Sequence, residues 1–102
     1  MVIKNRLLNG NLYIKLIGEL DEYTAKYTKE NLDDLINNNS YNNVIFELSE
    51  LDFMDSTGIG VLLGRYKMLH KSNKKTYISN PKSTIEKIFK MSGIYEIMPK
   101  IS

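Results

Sequence analysis

The chain has 102 residues, 42% apolar and 25% charged, with a net charge of +2 and no cysteine. That length holds one domain and excludes two; the missing cysteine excludes disulfides, thiolate metal sites and a thiol nucleophile, and so small a charge gives no footing for nucleic acid. No apolar run approaches the ~20 residues of a membrane span, and Lys4 and Arg6 interrupt any signal-peptide pattern, so the expected setting is the cytoplasm, away from membranes.

Val2 to Leu8 reads as a strand. Asn9-Gly10 is a two-residue hairpin signal, because both turn positions need positive φ. Asn11 to Ile17 returns as a second strand, with Leu12, Ile14 and Leu16 on one face and Tyr13, Lys15 and Ile17 on the other. Gly18-Glu19-Leu20-Asp21 is expected to leave the sheet. Asp21 or Thr24 caps the first helix, whose buried stripe is Ala25, Thr28, Leu32, Leu35 and Ile36. Lys26, Lys29, Glu30, Asp33 and Asp34 mostly take its wet side, and the asparagines from Asn37 end it.

Val44 to Leu48 is a short apolar run of the kind that forms a central strand covered on its faces. Leu51 to Met54 leads from it into a polar corner, Asp55-Ser56-Thr57-Gly58. A helical period follows, with Ile59, Leu62, Leu63, Tyr66 and Leu69 on one face, ending between His70 and Asn73. Lys75 to Ser79 reads as a strand. Asn80 caps a third helix with Pro81 in its first turn; Ile85, Ile88 and Phe89 form its apolar face and Gly93 a left-handed cap. Ile94 to Met98 reads as a last short strand. The order gives an α/β fold, one domain over residues 1–102, with helices packed on a mixed sheet and parallel pairing across the helical crossovers.

The corner carries the chemistry. Ser56 suits two roles there: helix cap, by accepting from an orphan backbone N–H, or phosphate acceptor, because a helix N-terminus favours an anion. An Asp55-Ser56-His70 triad fails on distance, since fourteen residues along one helix span about 21 Å. Gly58, Gly60 and Gly64 have neither dinucleotide-fingerprint nor P-loop spacing. In a helix each glycine costs about 1 kcal/mol relative to alanine, so these three serve either a docking surface or tight packing. One histidine and scattered carboxylates give no metal-ligand spacing. Neither a metal nor a cofactor is expected.

Three blocks of this chain resemble the anti-sigma factor antagonists, the bacterial branch of the STAS domains. They are Gly18-Glu19-Leu20-Asp21 with Thr24-Ala25; Phe53-Met54-Asp55-Ser56-Thr57-Gly58-Ile59-Gly60-Val61 with Leu63-Gly64-Arg65-Tyr66-Lys67; and Ile88-Phe89-Lys90-Met91-Ser92-Gly93-Ile94. Their order and spacing run through nearly the whole chain. The resemblance implies a STAS-like fold and a regulator that is not an enzyme. Its partner would be an anti-sigma factor that is also a serine kinase carrying ATP or ADP. The unphosphorylated antagonist would hold that kinase and free a sigma factor, phosphate on Ser56 would reverse this, and a serine phosphatase would restore the first state. Leu63 to Lys67 favours the sporulation branch. By the same resemblance Asp21 contacts a basic residue of the partner, Asp55 shapes the corner, and Gly58, Gly60 and Arg65 line the docking face. Thr57 is a spare hydroxyl expected to cap or pack. Asp21 as an N-cap and Asp55 as a turn residue are the competing readings. The alternative for the whole chain is a STAS module that senses a small ligand or serves as a regulatory subunit of a larger assembly.

Overall fold

A computed structural model describes residues 1–102. The chain runs β1 (Val2–Leu8), β2 (Asn11–Leu20), α1 (Ala25–Asn37), β3 (Asn43–Glu47), β4 (Leu51–Met54), α2 (Ser56–Lys71), β5 (Lys75–Ser79) and α3 (Ser83–Ser92), then a 3-10 turn at Ile94–Glu96. The sheet order is β1-β2-β3-β5, with β4 also on β2. Only β1 and β2 are antiparallel; β2–β3, β2–β4 and β3–β5 are parallel, as expected of strands joined through helices. No helix is long and apolar enough to cross a membrane.

The β1–β2 hairpin turns on Asn9 and Gly10 at φ 52° and 79°, the pair of positive angles that this tight turn requires. Leu12, Ile14 and Leu16 then point into the core beside Val44, Phe46 and Ile78, as alternation along the strands dictates. Thr28, Leu32 and Ile36 of α1, Val61, Leu62 and Leu69 of α2, and Ile85 and Phe89 of α3 are buried. The apolar ones belong to that same core cluster. All three helices therefore cover one face of the sheet. On the other face Tyr13, Ile45 and Tyr77 lie side by side in register across β2, β3 and β5, and Arg6 stacks 4.5 Å from the Tyr13 ring centre.

Four expectations need correction. Gly18 to Leu20 does not leave the sheet: β2 continues to Leu20, with a register shift at Gly18 (φ 114°), and takes β4 as a partner. Leu51 to Met54 is a strand in its own right rather than the exit of the one before. The third helix starts at Ser83 rather than at Asn80-Pro81, because Asn80 adopts φ 51° and turns the chain first, leaving Lys82 as N-cap. Ile94 to Met98 is no strand. The sheet edge is covered instead by the tail: Ile78 N donates to Pro99 O, Ile101 N to Ile78 O and Asn80 N to Ser102 O, at 2.9, 2.9 and 2.8 Å.

The buried side of α2 is also turned from the expected one. Gly58, Val61, Leu62, Arg65 and Leu69 are buried, while Ile59, Leu63 and Tyr66 form a half-buried shoulder. The helix α1 and the strands β4 and β5 all pack against α2. A residue as short as glycine or as long as arginine can take an inward position when its neighbour is close.

Candidate functional site

β2 and β4 end side by side, Leu20 opposite Met54, so the two segments that leave them emerge together. One is the turn into α1; the other is Asp55-Ser56 at the start of α2. Asp55 is the N-cap of α2. Its Oδ1 accepts from Gly58 N at 2.9 Å and its Oδ2 from Glu22 N at 3.1 Å, while its own N–H donates to Leu20 O at 3.3 Å. One carboxylate thus satisfies an orphan donor of the helix and ties the β2–α1 turn to the helix start. Periodicity could not reveal that second bond, because it joins residues 33 apart.

Capping by Asp55 removes one of the two roles open to Ser56, that of helix cap. Ser56 is the first helical residue, exposed, and its hydroxyl makes no hydrogen bond within the chain. Helix geometry leaves the N–H groups of Ser56 and Thr57 without intrahelical acceptors, and sixteen aligned peptides put their positive end at this point. Thr57 was expected to cap or pack; it is exposed and its side chain bonds to nothing. His70 stacks on Tyr66, ring centres 5.5 Å apart. Because α2 is unbroken from Ser56 to Lys71, His70 stays about 21 Å along the helix from Ser56 and cannot act as its base.

Asp21 sits in the tied turn. Its Oδ1 accepts from Tyr23 N and Thr24 N at 2.9 and 3.0 Å, an Asx turn that leaves Oδ2 uncommitted. Thr24 is the N-cap of α1 by position but makes no side-chain cap bond. Its hydroxyl donates to Glu19 O at 2.8 Å and accepts from Asp21 N at 3.1 Å. Both residues therefore brace the turn rather than cap the helix.

The three glycines of α2 part company. A Cβ on Gly58 would lie 2.3 Å from Leu20 O and 2.9 Å from Met54 Cγ. Gly58 is thus a packing residue that seats the helix on the strand ends, not part of a docking face as expected. Gly60 and Gly64 would meet nothing within 4 Å. With Lys26 and Lys29 of α1 they line a shallow groove of about 530 Å³ running from Thr57.

Arg65 was also expected on the docking face; it borders that groove but is itself buried, with 6% of its surface exposed. Its Nε lies 3.0 Å from Asp33 Oδ1 on α1, a close ion pair off the angle of a good hydrogen bond. A buried charge needs such a counterion. The partner lay hidden in the sequence because Asp33 falls among the residues assigned to the wet side of α1. Asp21, Asp55, Ser56, Thr57 and Gly60 stay at the surface around the corner; Gly58 and Arg65 do not.

The fold and the corner together define a two-layer α/β domain, helices on one face of a mixed sheet, with an unbonded serine exposed at the start of α2. Residues 3–102 match the model of the STAS domain. A curated relative from Paenibacillus polymyxa, an anti-sigma F factor antagonist, is 33% identical over 90 residues, covering 88% of this chain and 77% of that one. The solved anti-sigma factor antagonist SpoIIAA in its unphosphorylated form superposes with a TM-score of 0.80 at 27% identity, over 99% of this chain and 89% of that one. The Bacillus cell fate determinant SpoIIAA in its phosphorylated form gives 0.74 at 27% identity, over 99% and 92%. The chain belongs to the STAS domain family, among its anti-sigma factor antagonists.

Proposed function

We propose that the unphosphorylated protein binds an anti-sigma factor that is also a serine kinase, and so frees a sigma factor in the cytoplasm, with phosphate on Ser56 as the off signal. The nucleotide belongs to the partner. Ser56 Oγ attacks the γ-phosphorus of that ATP; the new O–P bond replaces the bond to ADP, and the hydroxyl proton passes to a base of the kinase. A serine phosphatase returns the chain to its binding form. The relative that antagonises anti-sigma F factor favours sporulation as the process controlled.

One observation carries this reading: the Ser56 hydroxyl is exposed and unbonded at the start of α2 because Asp55 has taken the cap. The hydroxyl has no structural duty to lose. A phosphate adds about −1.5 to −2 charges, which the helix start tolerates, so the interior stays as it is. At a closed interface the same charge, beside Asp55 and within the acidic rim of Asp21 and Glu22, must be desolvated. That costs several kcal/mol, enough to dissolve a complex. Asp21 and Gly60 flank the site as contacts.

The test is mass spectrometry after incubation with a purified anti-sigma factor kinase and ATP. Parent protein should gain one phosphate, on Ser56. Ser56→Ala should stay folded, resist modification and still bind the kinase, and Ser56→Asp should bind more weakly. Phosphate on Thr57, or an alanine variant modified as fast as the parent, removes Ser56 from its role.

A further inference from the structure

Tyr23 is 87% exposed. Its ring takes part in none of the aromatic or cation–π pairs of the fold, and its hydroxyl bonds to nothing. Solitary exposed apolar side chains are common and mean little by themselves. Tyr23 differs in its mount. Its own N–H donates to Asp21 Oδ1, the next N–H donates to the same oxygen, Thr24 Oγ1 clamps the turn to Glu19 O, and Glu22 N is held by Asp55 Oδ2. A large, bare ring thus stands on a backbone fixed from both sides, and the last of those bonds runs directly to the residue before Ser56.

We propose that Tyr23 is the anchor by which the kinase partner grips this protein, an inference that rests on the docking reading of Ser56. A rigid aromatic has only two side-chain torsions to immobilise, so it gives contact area at low entropic cost, and tyrosine is enriched among the few residues that dominate binding energy. The surroundings state the chemistry of the pocket that receives it. Between Glu19 and Lys26 the acids Glu19, Asp21 and Glu22 outnumber the single base Lys26. Phe53, paired with Glu19 across β2 and β4, is half exposed on the same rim. The occupant is therefore an apolar pocket of the kinase bordered by lysine or arginine, next to Ser56 because the Glu22–Asp55 bond ties this turn to the start of α2.

The experiment measures affinity by calorimetry against a purified anti-sigma factor kinase, loaded with ADP, that binds the parent protein. Tyr23→Ala should weaken binding at least tenfold, Tyr23→Phe should keep it within about threefold, and Met91→Ala, an equally exposed control on α3, should leave it unchanged. All three should melt with the parent. In phosphorylation assays Tyr23→Ala should raise KM for the antagonist with little change in kcat, the pattern of lost uniform binding. Parent-like binding by Tyr23→Ala overturns the proposal. If Ser56→Asp still weakens binding in that case, only the anchor is wrong; if neither variant changes affinity, or no kinase binds the parent, the docking reading itself falls.

Discussion

Gly58→Ala tests how α2 is seated. The added methyl would lie 2.3 Å from a backbone carbonyl oxygen, Leu20 O, and 2.9 Å from Leu20 Cγ and Met54 Cγ. Side chains can swing aside; the carbonyl, pinned in a strand pair, cannot. Overpacking of this kind costs about 1–3 kcal/mol. Relief means lifting the first turn of α2, which strains the Asp55–Gly58 cap, worth about 0.5–2 kcal/mol. Against this stands the gain of about 1 kcal/mol for alanine over glycine in a helix. The net loss is about 2 kcal/mol, which for a domain of this size lowers the melting temperature by about 10 °C. Gly60→Ala and Gly64→Ala meet nothing, so only the helix gain applies and each should raise stability by up to about 1 kcal/mol. Thermal and urea unfolding of the three variants would read opposite signs on one helix. A neutral or stabilising Gly58→Ala would refute the close approach of α2 to the end of β2.

Arg65→Ala should cost about 2–3 kcal/mol, below the full 3–5 of a broken buried pair because water still reaches Asp33; urea denaturation would show it, and Asp33→Leu with Arg65→Met should recover most of the loss. Burial first, then the Glu86 charge and hydrogen bond, push Tyr95 up to about 12. An acid whose folded pKa exceeds its unfolded value of about 10 stabilises fully below pH 10, and that contribution disappears as pH rises through 12. Stability measured against pH should fall over this window, and Tyr95→Phe should flatten the fall.

Features governed by near neighbours in sequence were legible. The Asn9-Gly10 turn, the α1 stripe, the central strand at Val44 to Phe46 and the left-handed Gly93 at φ 75° all follow from local rules. What escaped depends on contacts between distant segments. β4 has only four residues, two of them exposed, and exists because a register shift at Gly18 frees the end of β2 to pair with it. The burial of Arg65 depends on a carboxylate on another helix. Ser56 could be placed at a helix start from its neighbours alone, but whether it or Asp55 caps depends on backbone angles that either residue can adopt. The family motif marked the corner; it did not separate the glycine that holds the helix down from those that leave it open.

The tail along β5 leaves the sheet one unguarded flank, at β1. Lys4 and Arg6 project to the same face of β1, beside Lys15 and Tyr13 of β2, so a second strand arriving there would meet two positive charges on one border. Like charges opposed across a strand pair repel, and lysine on such a border is a familiar deterrent to fibre growth. The basic pair on β1 thus works against edge-to-edge growth of the sheet at that strand.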